Sequence, residues 1–77
     1  MKVYLLQFYN WKNHDVYTIG VYSDVQKIFD LQTEKEFNLS DGEYRIVGFE
    51  MDSTKAKTLY TKIVYSTGRI IDWYKNS

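Results

Sequence analysis

The chain predicts an α+β fold, a mainly antiparallel β-sheet in the order β-β-α-β-β-β with one helix packed on one face. Two runs rich in Val, Ile, Tyr, Phe and Thr, residues 2–10 and 16–22, flank a short polar connection, which is the signature of a hairpin of half-buried strands. From Asp24 the apolar spacing then switches from strand-like to helical. Three further β-branched and aromatic runs follow, each bounded by turn residues. With 77 residues there is room for one domain, residues 1–77.

The first hairpin closes through Trp11, Lys12, Asn13, His14 and Asp15, a loop of ordinary length without the Asn-Gly or Asp-Gly of the tightest turns, which leaves Trp11 near the surface. Ser23 and Gln26 have the S-x-x-Q capping-box spacing, so a helix is expected from Asp24 with Ser23 as its cap. Val25, Ile28, Phe29 and Gln32 share one face of it, Leu31 lies beside them, and the helix is expected to end near Glu36 or Phe37. Asn38 to Gly42 is a turn by composition, and residues 43–51 read as the third strand, with Gly48 marking a bulge or a close approach. Residues 52–57 read as a loop, although Asp52, Ser53 and Thr54 are all good helix caps. Thr58 to Tyr65 is the fourth strand, Ser66-Thr67-Gly68 a turn in which Gly68 can take the left-handed conformation, and Arg69 to Lys75 the fifth strand. Alternation in this last hairpin sends Leu59, Ile63, Tyr65, Ile71 and Trp73 inward and leaves Lys62 to water.

A chain this short needs help to stabilise its core. With no Cys there is neither a disulfide framework nor a thiolate metal site, and one His offers a single imidazole ligand, so no metal and no cofactor are expected. Eight Tyr, four Phe and two Trp are the compensation, since each large ring buries roughly 150–250 Å². No targeting leader and no apolar run of about 18 residues is present, which predicts a cytoplasmic protein without membrane attachment. The formal net charge is zero but unevenly spread: residues 23–52 carry a net −5 and residues 53–77 a net +4.

The opening K-V-Y-L-L at Lys2–Leu6, H-D-V at His14–Val16, I-G-V-Y-S at Ile19–Ser23 and the D-G-x-Y-x-I strand within Asp41–Met51 together resemble a small bacterial and phage domain of unknown function. The resemblance implies the strand-strand-helix-strand order and a bacterial or phage origin, and it leaves residues 53–77 unmatched. No activity is implied, so no functional residue carries over.

No catalytic constellation is legible. His14-Asp15 is a carboxylate-flanked imidazole, the pattern of a general base, but it sits in a solvated hairpin loop and no Ser occupies a nucleophile elbow. The chain is therefore expected not to be an enzyme. Asp30 and Glu34 lie one helical turn apart, an unfavourable like-charge spacing that suits a surface meeting a basic partner or imitating phosphate. In the terminal hairpin Lys57, Lys62, Arg69 and Lys75 interleave with Tyr60, Tyr65, Trp73 and Tyr74, a composition in which rings stack on bases and cations meet phosphates. A sheet with one helix covers one face only, so several rings must lie on the other, and Tyr and Trp are favoured at protein interfaces. The leading expectation is a non-catalytic protein-interaction module, binding a protein partner or a second copy through an aromatic-rich sheet face or the acidic helix, with Tyr60, Trp73, Tyr74, Asp30 and Glu34 as interface residues. The alternative is a nucleic-acid-binding protein using the basic terminal hairpin, and the next a small-ligand binder or enzyme at a dimer interface.

Overall fold

The alternating runs pair as their composition demands. A computed structural model describes residues 1–50 and 52–76, in which β1 (Lys2–Asn10), β2 (Val16–Tyr22), β3 (Gly42–Glu50), β4 (Ala56–Val64) and β5 (Ile70–Lys75) form one antiparallel sheet in the spatial order β2-β1-β3-β4-β5. The end of the expected third strand, Met51, lies outside the described residues. Between β2 and β3 stand two short helices, α1 (Val25–Phe29) and α2 (Thr33–Glu36).

The order is thus β-β-α-α-β-β-β, and the single packed helix of the sequence reading is two pieces. In a continuous helix Phe29 and Leu31 would point about 200° apart. Here both pack against the core, together with Phe37 and Leu39, because the chain turns at Asp30–Gln32. The turn is held by the Leu31 N–H, which donates to the Ile28 carbonyl at 3.0 Å, and by Tyr44, whose hydroxyl donates to the Thr33 carbonyl at 3.2 Å. The cap also differs from expectation. Asp24, not Ser23, accepts the Gln26 N–H at 3.0 Å, and the Gln26 side chain reaches forward to Asp30 instead of back to a cap.

Register sorts the side chains. Leu6 and Phe8 of β1 stand beside Ile46 and Tyr44 of β3, which stand beside Tyr60 and Lys62 of β4, all on the helix side. The buried core is Leu6, Phe8, Ile28, Tyr44, Ile46 and Val64. The inward set read for β4 is reversed beyond Leu59, because the register shifts opposite Ile46/Val47 and the extra residue, Leu59, folds over Gly48. Tyr60, Lys62 and Val64 face the helices, whereas Ile63 pairs with Glu43 on the far side. Such a shift flips every following side chain, and alternation fixes the period but not the phase. Gly48 is the close approach: a Cβ there would sit 2.6 Å from Leu59 Cδ1. Gly42, read as a turn residue, instead opens β3, where a Cβ would lie 2.2 Å from the Tyr9 carbonyl oxygen.

Candidate protein-binding face

Two helices totalling nine residues cover only one side of the sheet. The other side is bare, and its side chains follow from the register in four rows. Val3, Phe49 and Ala56 form the first, and Val21, Leu5, Val47 and Thr58 the second. The third is polar: Thr18, Gln7, Arg45, Thr61 and Tyr74. The fourth runs through Val16, Tyr9, Glu43, Ile63 and Ile71.

Several polar groups of this face bond each other or a neighbour at its margin. Gln7 Nε2 donates to Thr18 Oγ1 at 3.2 Å, and Thr61 Oγ1 donates to Asn76 Oδ1 at 2.9 Å. Arg45 Nε donates to Glu43 Oε1 at 2.6 Å, and the guanidinium lies over the Tyr9 ring with Cζ 4.6 Å from its centre. The two charges of the rows are therefore one neutralised pair. Apolar side chains flank that polar row on both sides, with Val21 62 % and Val16 49 % exposed and Leu5, Val47, Phe49, Ile63 and Ile71 half-buried. An exposed apolar patch of this kind is the usual mark of a contact surface.

The residues singled out from sequence are divided between the two sides. Tyr74 lies on the bare face. Tyr60 and Trp73 do not: both pack edge-on against Phe29 of α1, at ring-centre distances of 5.0 and 6.0 Å, and are half-buried under the helices. Asp30 and Glu34 no longer share a helix. Asp30 is the C-cap of α1, held by Gln26, whereas Glu34 of α2 binds Lys62.

Lys62 is the largest departure from the sequence reading. Its side chain is 7 % exposed, and Nζ sits 2.7 Å from Glu34 Oε2, 3.8 Å from Asp72 Oδ1 and 5.9 Å from the centre of the Trp73 ring. That hydrogen bond holds the Glu34 carboxyl below its ordinary range. Lys62 is thus an internal tie between α2 and β4 and is withdrawn from the nucleic-acid set. The rest of that set is dispersed: Lys57 lies near the start of β4 and Arg69 beyond its end, with Cζ 5.8 Å from the Tyr65 ring centre. At about 3.3 Å per residue, β4 keeps the backbone positions of those two residues over 20 Å apart. Lys75, opposite Tyr60, faces the helix side.

Two cavities are present, one beside the helices and one at the end of the sheet near the β3–β4 connection. One, of about 570 Å³, is bordered by Phe29, Leu31, Glu34, Lys62, Asp72 and Trp73, and its ammonium is already taken by the two carboxylates. The other, of about 810 Å³, lies over Tyr4, Gly48 and Leu59, with Lys2, Lys55 and Lys57 at its rim. His14 bonds through Nδ1 to the Tyr9 hydroxyl at 2.8 Å, exposed in the β1–β2 loop. Among the described residues no cluster of three or more His, Cys, Asp or Glu is placed to hold a metal ion, and no helix is long and apolar enough to cross a membrane.

Comparison with known proteins finds no matching family model, no significantly similar curated protein and no significantly similar solved structure. The site must be read from its own chemistry. Sequence reasoning missed Leu5, Val47 and Phe49, which look like any core residues until the phase of their strands is known.

Proposed function

We propose that the chain is a non-catalytic protein-interaction module that binds a protein partner through the bare face of its sheet, in the cytoplasm of a bacterium or its phage. The observation that supports this reading is the pairing of Arg45 with Glu43 on that face. Charges neutralised by each other leave no field to attract phosphate, so the surface suits a partner that also presents apolar side chains. The dispersal of Lys57, Arg69 and Lys75, with Lys62 buried, weighs against the nucleic-acid alternative, because counterion release needs several cations along one backbone path.

The test is a quantitative capture experiment with tagged protein in lysate of its natural host, before and after nuclease, comparing the wild type with Val47→Lys and with the triple variant Lys57→Ala/Arg69→Ala/Lys75→Ala. The reading expects one stoichiometric, nuclease-resistant protein, lost from Val47→Lys and retained by the triple variant. Capture that is nuclease-sensitive, or that survives Val47→Lys, overturns it.

A further inference from the structure

We infer that β2 is a dimerisation edge: two copies of the chain pair antiparallel through Val16–Tyr22 and fuse their sheets into one. This goes beyond the bare-face reading, because it uses backbone groups at the side of the sheet and not side chains on its face.

The sheet has two outer strands, β2 and β5. On its outer side an edge strand presents an unpaired N–H and C=O at every second residue, a template for a further strand, and proteins usually guard such edges with charges, proline or a bulge. β5 is guarded: Asp72, with its side chain 85 % exposed, and Lys75 lie within it. β2 is Val-Tyr-Thr-Ile-Gly-Val-Tyr, without a charge or a proline, and Val16, Tyr17 and Val21 are 49 %, 43 % and 62 % exposed. Its one guard is a bulge at Ile19, where the register with β1 skips a residue, and no charge or proline accompanies it.

That shift fits a symmetric pairing. Thr18 and Val21 stand on the bare face, opposite Gln7 and Leu5 of β1, whereas Tyr17 and Tyr22 stand on the helix side, opposite Phe8 and Tyr4. A two-fold axis normal to the sheet and passing between Ile19 and Gly20 sets Thr18 against Val21 of the second copy, and Tyr17 against Tyr22 of the second copy. Like faces then meet like faces, aromatic lies against aromatic, and no charge opposes another. The same axis closes the assembly. Pairing β2 to β5 of a neighbour would instead bring in Asp72 and Lys75 and leave free edges at both ends, the geometry of an open fibre. A seven-residue edge buries less than a permanent dimer needs, so the dimer is concentration-dependent.

Sedimentation velocity from about 10 μM to about 1 mM, with amide hydrogen exchange at the upper concentration, tests this on the wild type, Tyr17→Lys and Val47→Lys. The expected result is a rise from 9.3 kDa toward twice that mass for the wild type and Val47→Lys, with outward β2 amides slowed at least about tenfold, and a constant 9.3 kDa for Tyr17→Lys. Should Tyr17→Lys prove unfolded by circular dichroism, slowed β2 amides in the wild-type dimer carry the test alone. A wild type that stays at monomer mass, one that grows into fibres, or a dimer abolished by Val47→Lys and retained by Tyr17→Lys overturns the proposal. Because Val47 is on the face and Tyr17 on the helix side of the edge, failure here leaves the bare-face reading standing, and the reverse also holds.

Discussion

Lys62 shows how a residue type misleads when its strand phase is unknown. Its ammonium is buried against Glu34, and its stem fills space between α2 and β4. Lys62→Ala is expected to destabilise by roughly 3 kcal/mol, since it removes the stem and leaves Glu34 unpaired, whereas Lys62→Met, which keeps the volume, costs less; urea unfolding of both variants checks the order. The pH dependence follows from the depressed Glu34 pKa. The unfolded chain binds the proton more readily than the folded one, so this contribution is fully present above the ordinary value of 4.5 and is lost as pH falls through the lower folded value. Glu34→Gln is expected to be less stable near neutrality and to show a shallower loss on acidification. Tyr44 titrates in the opposite sense: burial pushes its hydroxyl up to about 12, so its contribution holds below 10 and fades between 10 and 12. Tyr44→Phe removes that part of the alkaline slope, readable as unfolding free energy at pH 9 and pH 11.

The elements were legible to unequal depth. Hairpin β1–β2, strand β3 and the turn at Gly68, with φ of 92°, follow directly from β-branched runs and punctuating polar residues. The interruption between α1 and α2 does not, because Val25 to Phe37 is compatible with one helix, and the break is set by where Leu31 and Thr33 meet the sheet. The cap was one residue off for a local reason: Ser23 and Asp24 both suit an N-cap, and only the backbone direction leaving β2 decides between them. Asp24→Ala is therefore expected to cost about 1 kcal/mol and Ser23→Ala close to nothing, measured by thermal unfolding of the two variants. In β4 one bulged residue, Leu59, reverses the side of Tyr60 to Val64, so Lys62 faces the helices and Ile63 the bare side, and a second shift between β4 and β5 returns Trp73 to the inward side that alternation gives it.

As a whole, the molecule is a sheet with one finished side and one bare side, and the sequence announced the surplus of apolar groups without saying which would be left over. An exposed position for Tyr74 was legible from its ring and polar tip, whereas the place of Leu5, Val47 and Phe49 on the bare face is found only through the register. Substitutions on the bare face should separate binding from folding: Val47→Lys is expected to leave the unfolding free energy within about 1 kcal/mol of wild type, because its long stem lies along the sheet while the ammonium stays in water. Site-specific photo-crosslinking inside the natural host tests the central claim most directly, with the photoreactive side chain placed at Val47 on the bare face and, in a second protein, at the exposed Glu36 on the helix side. The account predicts a discrete protein adduct from position 47 and none from position 36. An adduct confined to position 36, or crosslinking at 47 to nucleic acid alone, would contradict it.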